Sequence, residues 1–178
     1  MSANEATPVI VVTGPVGAGK STVMRAMSGV LEGRGIRHAA IDQDYLRMVH
    51  PYPDDEPFGA TVGYHNLAAI WPNLVGYGVR CVIIADVVED MAGSLAAYTA
   101  AMPGTKVTVV RLDVPLPLVL QRLERRENGP SGLEWHTRRA PELQGIMERN
   151  KIGDLVIDVG ERTPTDLAEE IVRRLDLA

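Results

Sequence analysis

Cysteine is nearly absent from this sequence, since Cys81 is the only one among 178 residues. One thiol cannot form an internal disulfide, so a disulfide-stapled scaffold is excluded and we expect a cytoplasmic protein. Cys81 lies within the apolar run RCVIIAD, which predicts a small buried hydrophobic residue. The few histidines and the cysteine form no cluster typical of a zinc site.

A signal peptide, a membrane span and a basic surface are also missing. The first residues, MSANEATP, lack a charged and then apolar pattern, and no apolar run approaches about 18 residues. We therefore expect neither a leader nor a membrane span. Lys and Arg number 18 against 23 Asp and Glu, which gives a net charge of −5. Because cationic contacts to phosphates dominate nucleic-acid affinity, a nucleic-acid partner is not expected.

Five short, β-rich apolar runs are spread along the chain. They occupy residues 8–13, 37–42, 80–86, 106–113 and 154–159. Continuous apolar runs suit strands that are buried on both faces, as in a parallel sheet. Segments of helical period lie between them, at 20–31, 116–126 and 164–177. This alternation predicts a three-layer α/β fold with a parallel sheet, in one domain over residues 1–178.

Two stretches interrupt the alternation. HPYPDDEPFG at 50–59 is rich in proline and acid, and RRENGPSGLEWH at 125–136 is rich in glycine and charge. Both are predicted to be loops. Long loops on such a sheet often carry function, although plain surface connections are the alternative.

The segment GPVGAGKS at 14–21 satisfies the phosphate-loop pattern G-x-x-x-x-G-K-[ST], between a predicted strand and an amphipathic helix. Its glycines let backbone N–H groups point at phosphate oxygens. Lys20 is predicted to reach the β- and γ-phosphates, and the Ser21 hydroxyl to bind Mg²⁺. The predicted nucleotide-binding residues are Gly14, Val16, Gly17, Ala18, Gly19, Lys20, Ser21 and Thr22. ATP and Mg²⁺ are the implied cofactors.

A phosphate loop alone does not say whether the phosphate is transferred, hydrolysed or sensed. A regulatory GTPase is disfavoured, because NKIGD at 150–154 places its acid one residue too far for N-K-x-D. Asp86 also lacks the glycine of a D-x-x-G switch. A plain ATPase or a nucleotide-sensing module remains an open alternative to a kinase.

The segment IDQDYLR at 41–47 favours transfer to a small acceptor. It follows the second predicted strand, so its acids are expected at the carboxyl edge of the sheet, beside the phosphate loop. Asp44 is the predicted base that accepts the proton of an attacking hydroxyl, and Asp42 is a predicted Mg²⁺ ligand. Arg47, three residues after Asp44, is predicted to hold the acceptor. Solvated acids in a turn are the alternative.

A cationic helix face precedes the glycine-rich stretch. It consists of Arg122, Arg125 and Arg126, at helical spacing. Arginines neutralise charge during phosphoryl transfer, so Arg122 and Arg126 are predicted to be catalytic. Arg138 and Arg139 follow the stretch and could close on the same phosphates. A solvated face paired with neighbouring glutamates is the alternative.

Asp86 ends the apolar run CVIIAD. An acid at the end of an apolar strand is where a phosphate-loop protein places its water-mediated Mg²⁺ ligand, so Asp86 is a predicted metal residue. An N-cap of the following helix is the alternative.

The first part of the chain resembles the opening of adenylylsulfate kinases, in which a phosphate loop is followed by Asp-Gly-Asp-x-x-Arg. The segments that carry the resemblance are GPVGAGKSTV, LEGRG and AAIDQDYLR. The match covers about the first quarter of the chain. The segment LDVPLPLVLQR also resembles the strand and helix that precede the lid in that family. Asn66 resembles the Asn with which that family contacts its substrate. The resemblance implies the nucleoside-monophosphate-kinase-like fold, with a five-stranded parallel sheet and a mobile lid, located at about 125–139 in this chain.

The sequence therefore predicts an ATP-dependent kinase that passes phosphate to a hydroxyl of a small acceptor. It gives neither the identity of the acceptor nor the oligomeric state of the protein. Tyr64 and Asn66, after the acidic stretch, are predicted acceptor contacts. His65 is more typical of a polar loop residue. Trp71 is either a further contact or part of the core.

Overall fold

The structure is a computed structural model. It describes residues 6–52, 54–56, 58–126 and 130–177, and of residues 126, 130 and 131 it describes the backbone alone. The strands are β1 Thr7–Thr13, β2 His38–Asp42, β3 Cys81–Ala85, β4 Thr105–Asp113 and β5 Leu155–Asp158. The helices are α1 Lys20–Gly33, α2 Gln43–Leu46, α3 Ala60–Gly76, α4 Met91–Ala101, α5 Leu116–Arg126, α6 Pro130–Arg149 and α7 Pro164–Arg174.

The five strands form one parallel sheet in the order β2-β3-β1-β4-β5, which confirms the predicted α/β fold. β1 lies at the centre, where Val9 pairs with Val82 of β3 and with Val107 of β4. Because all strands run in one direction, their carboxyl ends meet at a single edge. Thr13, Asp42 and Asp86 are thereby brought to the same side of the molecule.

The core lies on both faces of this sheet, as the continuous apolar runs predicted. Successive side chains of β1 point to opposite faces, so Ile10 and Val12 pack with α1 and α7, whereas Val9 and Val11 pack with α3 and α4. Cys81 is buried on the first face, as predicted. Among the described helices none is long and apolar enough to cross a membrane.

Trp71 belongs to the core of the second face. Its side chain is 6% exposed, and its indole Nε1 donates a hydrogen bond of 3.2 Å to the carbonyl of Pro103. The core alternative is therefore the correct one, because the indole packs beneath the sheet and satisfies its single donor there.

The stretch 125–136 differs from the predicted loop. Residues 127–129 lie outside the described residues, but α6 begins at Pro130 and runs to Arg149. Proline is well suited to the first turn of a helix. Along α6, Ala140, Leu143 and Met147 are buried at helical spacing, and this apolar stripe outweighs the local glycine and charge content. The predicted lid region is thus largely the first half of α6.

Candidate active site

The phosphate loop connects the central strand β1 to α1. Gly17 and Gly19 have left-handed backbones, with φ of +84° and +95°. A Cβ added at Gly17 would lie 3.1 Å from side-chain atoms of both Val119 and Leu123, so the loop packs closely against α5. The ammonium group of Lys20 donates hydrogen bonds to the carbonyls of Gly14 (3.1 Å) and Pro15 (3.2 Å), which folds the side chain over the loop.

The start of α1 is joined to the end of β2 by a side-chain hydrogen bond. The hydroxyl of Ser21 donates to Asp42 Oδ2 at 2.6 Å. The other oxygen, Asp42 Oδ1, accepts from the backbone N–H of Asp44 at 3.2 Å and caps the short helix α2. The two predicted metal ligands from separate elements are therefore adjacent, next to the phosphate loop.

Arg47 connects α2 to the end of β3. Its Nη2 lies 2.9 Å from Asp44 Oδ1 and also donates to Asp86 Oδ1. Burial alone would lower the pKa of this guanidinium, but the carboxylates of Asp86 and Asp44 raise it on balance. The Nε atom is buried and has no hydrogen-bond partner within the described residues. Arg47 thus stays charged and retains one donor that the protein itself does not use.

Asp86 lies at the predicted edge, but its oxygens are committed to donors within the protein. The residue is 5% exposed. Oδ1 accepts from Arg47 and from the N–H of Val87 (2.7 Å), and Oδ2 accepts from the hydroxyl of Tyr98 (2.6 Å). Burial raises the pKa of Asp86, and the nearby Arg47 charge opposes that rise. The helix-cap alternative is wrong, because α4 is capped by Asp90, which accepts from two N–H groups of the first turn.

The two predicted acceptor contacts on α3 do not line the cleft. Tyr64 is half-buried, with its ring 5.1 Å from that of Tyr98 in a T-shaped pair. Burial and the charge of Asp86 raise the pKa of the Tyr64 phenol. The side-chain amide of Asn66 donates to the carbonyl of Leu46 at 2.7 Å. Asn66 therefore contacts the end of α2 and Tyr64 packs on Tyr98 of α4, and neither is part of the cleft lining.

The arginines of α5 occupy different environments. Arg122 Nη1 donates to the carbonyl of Ala18 at 3.2 Å, which places this guanidinium against the phosphate loop. Arg125 is exposed. The side chain of Arg126 lies outside the described part of the chain, so its predicted role is untested. Of the cationic face, Arg122 is the member that the structure brings to the loop.

A cleft of about 630 Å³ opens over these groups. Its phosphate end is lined by the loop, Lys20, Ser21 and Thr22, and its middle by Asp42, Asp44 and Arg47. The remaining walls are Val16, Arg25, Tyr45, Met48, His50, Tyr52, Phe58, Val87, Glu89, Trp135, His136, Arg139 and Leu143. The cleft is therefore continuous from the phosphate loop to the predicted base.

Sequence reasoning missed most of the far wall of this cleft. Arg139 donates to Glu89, lies 2.9 Å from a carboxylate oxygen of Glu142, and has its guanidinium 5.9 Å from the centre of the Phe58 ring. Glu89 follows β3, whereas Phe58 precedes α3, so no local pattern joins them. The sequence signal for Arg139 was its position directly after the glycine-rich stretch 125–136.

The residues at the phosphate end fit a magnesium nucleotide. Across the described ranges, no group of three or more His, Cys, Asp or Glu is placed to hold a metal by itself. Mg²⁺ typically takes one or two protein oxygens and completes its shell with water and nucleotide phosphates. The adjacent Ser21 hydroxyl and Asp42 carboxylate match that requirement.

Several solved structures share this fold. A tunicamycin resistance protein of Deinococcus radiodurans aligns with a TM-score of 0.65 at 18% identity, over 95% of both chains. An APS kinase of Mycobacterium tuberculosis, solved with AMPPNP and APS, aligns with a TM-score of 0.61 at 25% identity, over 97% of this chain and 99% of that chain. A shikimate kinase of Acinetobacter baumannii, solved with shikimate, aligns with a TM-score of 0.57 at 20% identity, over 96% and 94%.

No family model matches the chain, and no curated protein gives a significant sequence match. The chain nevertheless has the fold of the P-loop small-molecule kinase superfamily, over nearly its whole length. The resemblance to adenylylsulfate kinases is confirmed at the level of the fold, since an APS kinase is among these structures.

Proposed function

We propose that this protein is an ATP-dependent phosphotransferase that moves the γ-phosphate of MgATP to a hydroxyl of a small acceptor. The observation that carries this proposal is the continuous cleft, in which a phosphate loop and the Asp44–Arg47 pair face the same space. A protein that only sensed or hydrolysed ATP would have no need of a second binding region beyond the phosphates.

The phosphate end holds the nucleotide. The N–H groups of the loop and the ammonium of Lys20 would neutralise phosphate oxygens, and Ser21 and Asp42 would hold Mg²⁺. When bound, MgATP supplies the transferable phosphoryl group and the metal's positive charge. Arg122, anchored on the Ala18 carbonyl, is placed to add a fixed positive charge at the loop.

Asp44 takes the proton of the acceptor hydroxyl as its oxygen attacks. Arg47 fixes the carboxylate by binding Oδ1. Asp86 and Tyr98 hold Arg47 from behind and so act as positioning residues. We accordingly propose that Asp86 orients Arg47, and the Mg²⁺ role predicted for it passes to Ser21 and Asp42.

The substitution Asp44→Asn tests this function. It should leave the Kd for MgATP within about twofold of the wild-type value and lower kcat by about 10²–10⁴-fold, which is the usual contribution of a positioned base. Transfer of label from γ-labelled ATP to sugars, nucleosides, sulfated nucleotides and aminoglycosides would be measured beside calorimetric ATP titration. Asp176→Asn is a matched control, because Asp176 is an exposed acid in the segment after α7.

Two results would overturn the proposal. Full transfer activity in Asp44→Asn would show that the acceptor loses its proton without this carboxylate. Release of labelled phosphate to water alone, unaffected by every acceptor class, would favour the alternative of a bare ATPase or a nucleotide sensor.

A further inference from the structure

Aromatic side chains are scarce in this protein but concentrated in its cleft. The chain has one Phe, two Trp and five Tyr. Half of them line the cleft, namely Tyr45, Tyr52, Phe58 and Trp135. Two of the four histidines, His50 and His136, add further rings to the same walls.

Three of these cleft aromatics are exposed and Tyr52 is half-buried, in contrast to the aromatics of the core. Tyr45, Phe58 and Trp135 are 67%, 49% and 40% exposed, whereas Tyr98 is fully buried. A single exposed apolar residue needs no explanation, but several in one concave site indicate a ligand that covers them. Rings cost little side-chain entropy when a ligand orders them, so they are efficient contacts for another flat group.

Phe58 and Trp135 both line the cleft together with Arg139, although they come from different elements. The guanidinium of Arg139 lies 5.9 Å from the centre of the Phe58 ring. Trp135 precedes Arg139 by four residues on α6, so the two side chains share one face of that helix. The two rings therefore flank Arg139 on the wall of the cleft.

The two arginines nearest to the rings and to Asp44 are already paired with carboxylates of the protein. Arg139 is paired with Glu89 and Glu142, and Arg47 with Asp44 and Asp86. An anionic acceptor would have to break such a pair or share it with a carboxylate of like charge. The wall thus offers flat apolar surface rather than a free anion clamp.

We propose that the acceptor is an uncharged hydroxyl compound with a planar ring system, which stacks on Phe58 and Trp135 while its hydroxyl faces Asp44. This inference rests on the proposed phosphotransferase function and names the class of its acceptor. A cleft of this kind differs from one built for a polyol without a planar ring, because recognition of such a polyol depends on hydrogen bonds to many hydroxyls.

The test uses pairs of compounds that carry the same sugar hydroxyls, of which one member has a planar ring and the other a methyl group in its place. Uridine is compared with methyl riboside, and phenyl glucoside with methyl glucoside. Uridine 5′-phosphate and phenyl glucuronide are the charged counterparts. Label transfer from γ-labelled ATP gives kcat/KM, and fluorescence of Trp135 in a Trp71→Phe background gives binding without turnover.

The variants are Phe58→Leu and Trp135→Leu, which keep an apolar side chain but remove the ring. Tyr77→Leu is the matched control, since Tyr77 is 78% exposed and does not line the cleft. We expect the neutral compounds with a planar ring to be preferred at least tenfold over the methyl glycosides, which lack one. Each ring-removing variant should raise the KM for the planar-ring compounds about 5- to 10-fold, and Phe58→Leu should raise their Kd as much, with the KM for ATP changed less than twofold.

Preference for methyl riboside or methyl glucoside, or for the charged compounds, would overturn this inference and leave the phosphotransferase function standing. A rise in the KM for ATP in Phe58→Leu would also overturn it, because the rings would then hold the nucleotide base. Neutral ring compounds that quench Trp135 but never receive phosphate would support the ring site and refute the phosphotransferase function. Absence of both quenching and transfer across all the ring compounds would refute the ring site.

Discussion

At the scale of single residues, the site depends on contacts behind the cleft as much as on groups within it. Asp86 is reached by Arg47 from the cleft side and by Tyr98 from the core side. A buried carboxylate that lost one of these donors would retain its desolvation cost without full compensation. The position of Arg47 is therefore coupled to Tyr98, a tyrosine outside the lining of the cleft.

Tyr98→Phe should expose this coupling. Removing the hydroxyl that donates to Asp86 should lower the free energy of unfolding by about 2 kcal/mol, since the bond goes to a charged acceptor. It should also raise the KM for the acceptor more than the KM for ATP, because Arg47 is held less firmly. Steady-state kinetics and urea unfolding would measure both effects. An equal rise in both KM values would mean that Tyr98 is purely structural. Tyr77→Phe, at an exposed position, should change neither the KM values nor the stability.

Cys81 gives a second prediction at this scale, through pH. Burial raises the pKa of its thiol from 9.0 to about 11. Between these values the unfolded chain has released the proton and the folded chain has kept it, so stability falls as pH rises. The loss attributable to this thiol between pH 8 and pH 10 should be about 1 kcal/mol. Urea unfolding at pH 8 and pH 10 should show that Cys81→Ala loses about 1 kcal/mol less stability than the wild-type protein over this interval. An equal loss in both proteins would contradict the raised pKa of the thiol.

At the scale of elements, the phosphate loop depends on α5. Gly17→Ala would require a left-handed alanine, at φ +84°, and place its Cβ 3.1 Å from side-chain atoms of Val119 and Leu123. We expect a loss of about 1–3 kcal/mol in unfolding free energy and weaker MgATP binding, because the loop must move away from α5.

Gly29→Ala is the matched control for this substitution. Gly29 lies within α1, and an added Cβ would meet nothing within 4 Å. Alanine is the better helix former, so stability should be unchanged or rise by up to about 1 kcal/mol. If Gly17→Ala behaved like Gly29→Ala in thermal unfolding and ATP titration, the close packing of loop and helix would be refuted.

The elements also show what the sequence could predict. The strands and the phosphate loop are determined locally, by continuous apolar runs and by a spaced motif, so their prediction was confirmed. The start of α6 at Pro130 was missed, because the buried stripe that fixes it begins several residues later. Likewise, Tyr98 on α4 reaches Asp86 only through packing of α4 on the sheet, and the small residues AAYTAA around it carry no clear period.

At the scale of the whole molecule, one fold serves both halves of the site. The parallel strands bring Asp42 and Asp86 to the edge where β1 is followed by the phosphate loop. The groups proposed to bind the acceptor and the nucleotide are therefore positioned by the same sheet. Ligand binding at this edge joins α1, α2 and the ends of three strands. MgATP should therefore stabilise the entire domain rather than a local segment.

MgATP at about 100 times its Kd should raise the unfolding free energy by about 2.7 kcal/mol, which corresponds to roughly 5–11 °C in Tm for a chain of this size. Lys20→Ala should abolish most of that shift, because the ammonium is predicted to bind phosphate. Its own Tm without nucleotide should stay within a few degrees of the wild-type value, since the ammonium lies over the loop and Lys20 is not part of the buried core. Thermal unfolding with and without MgATP would measure this, with Lys106→Ala on β4 as the control. A full MgATP shift in Lys20→Ala would refute the phosphate-binding role, and with it the basis of the proposed reaction.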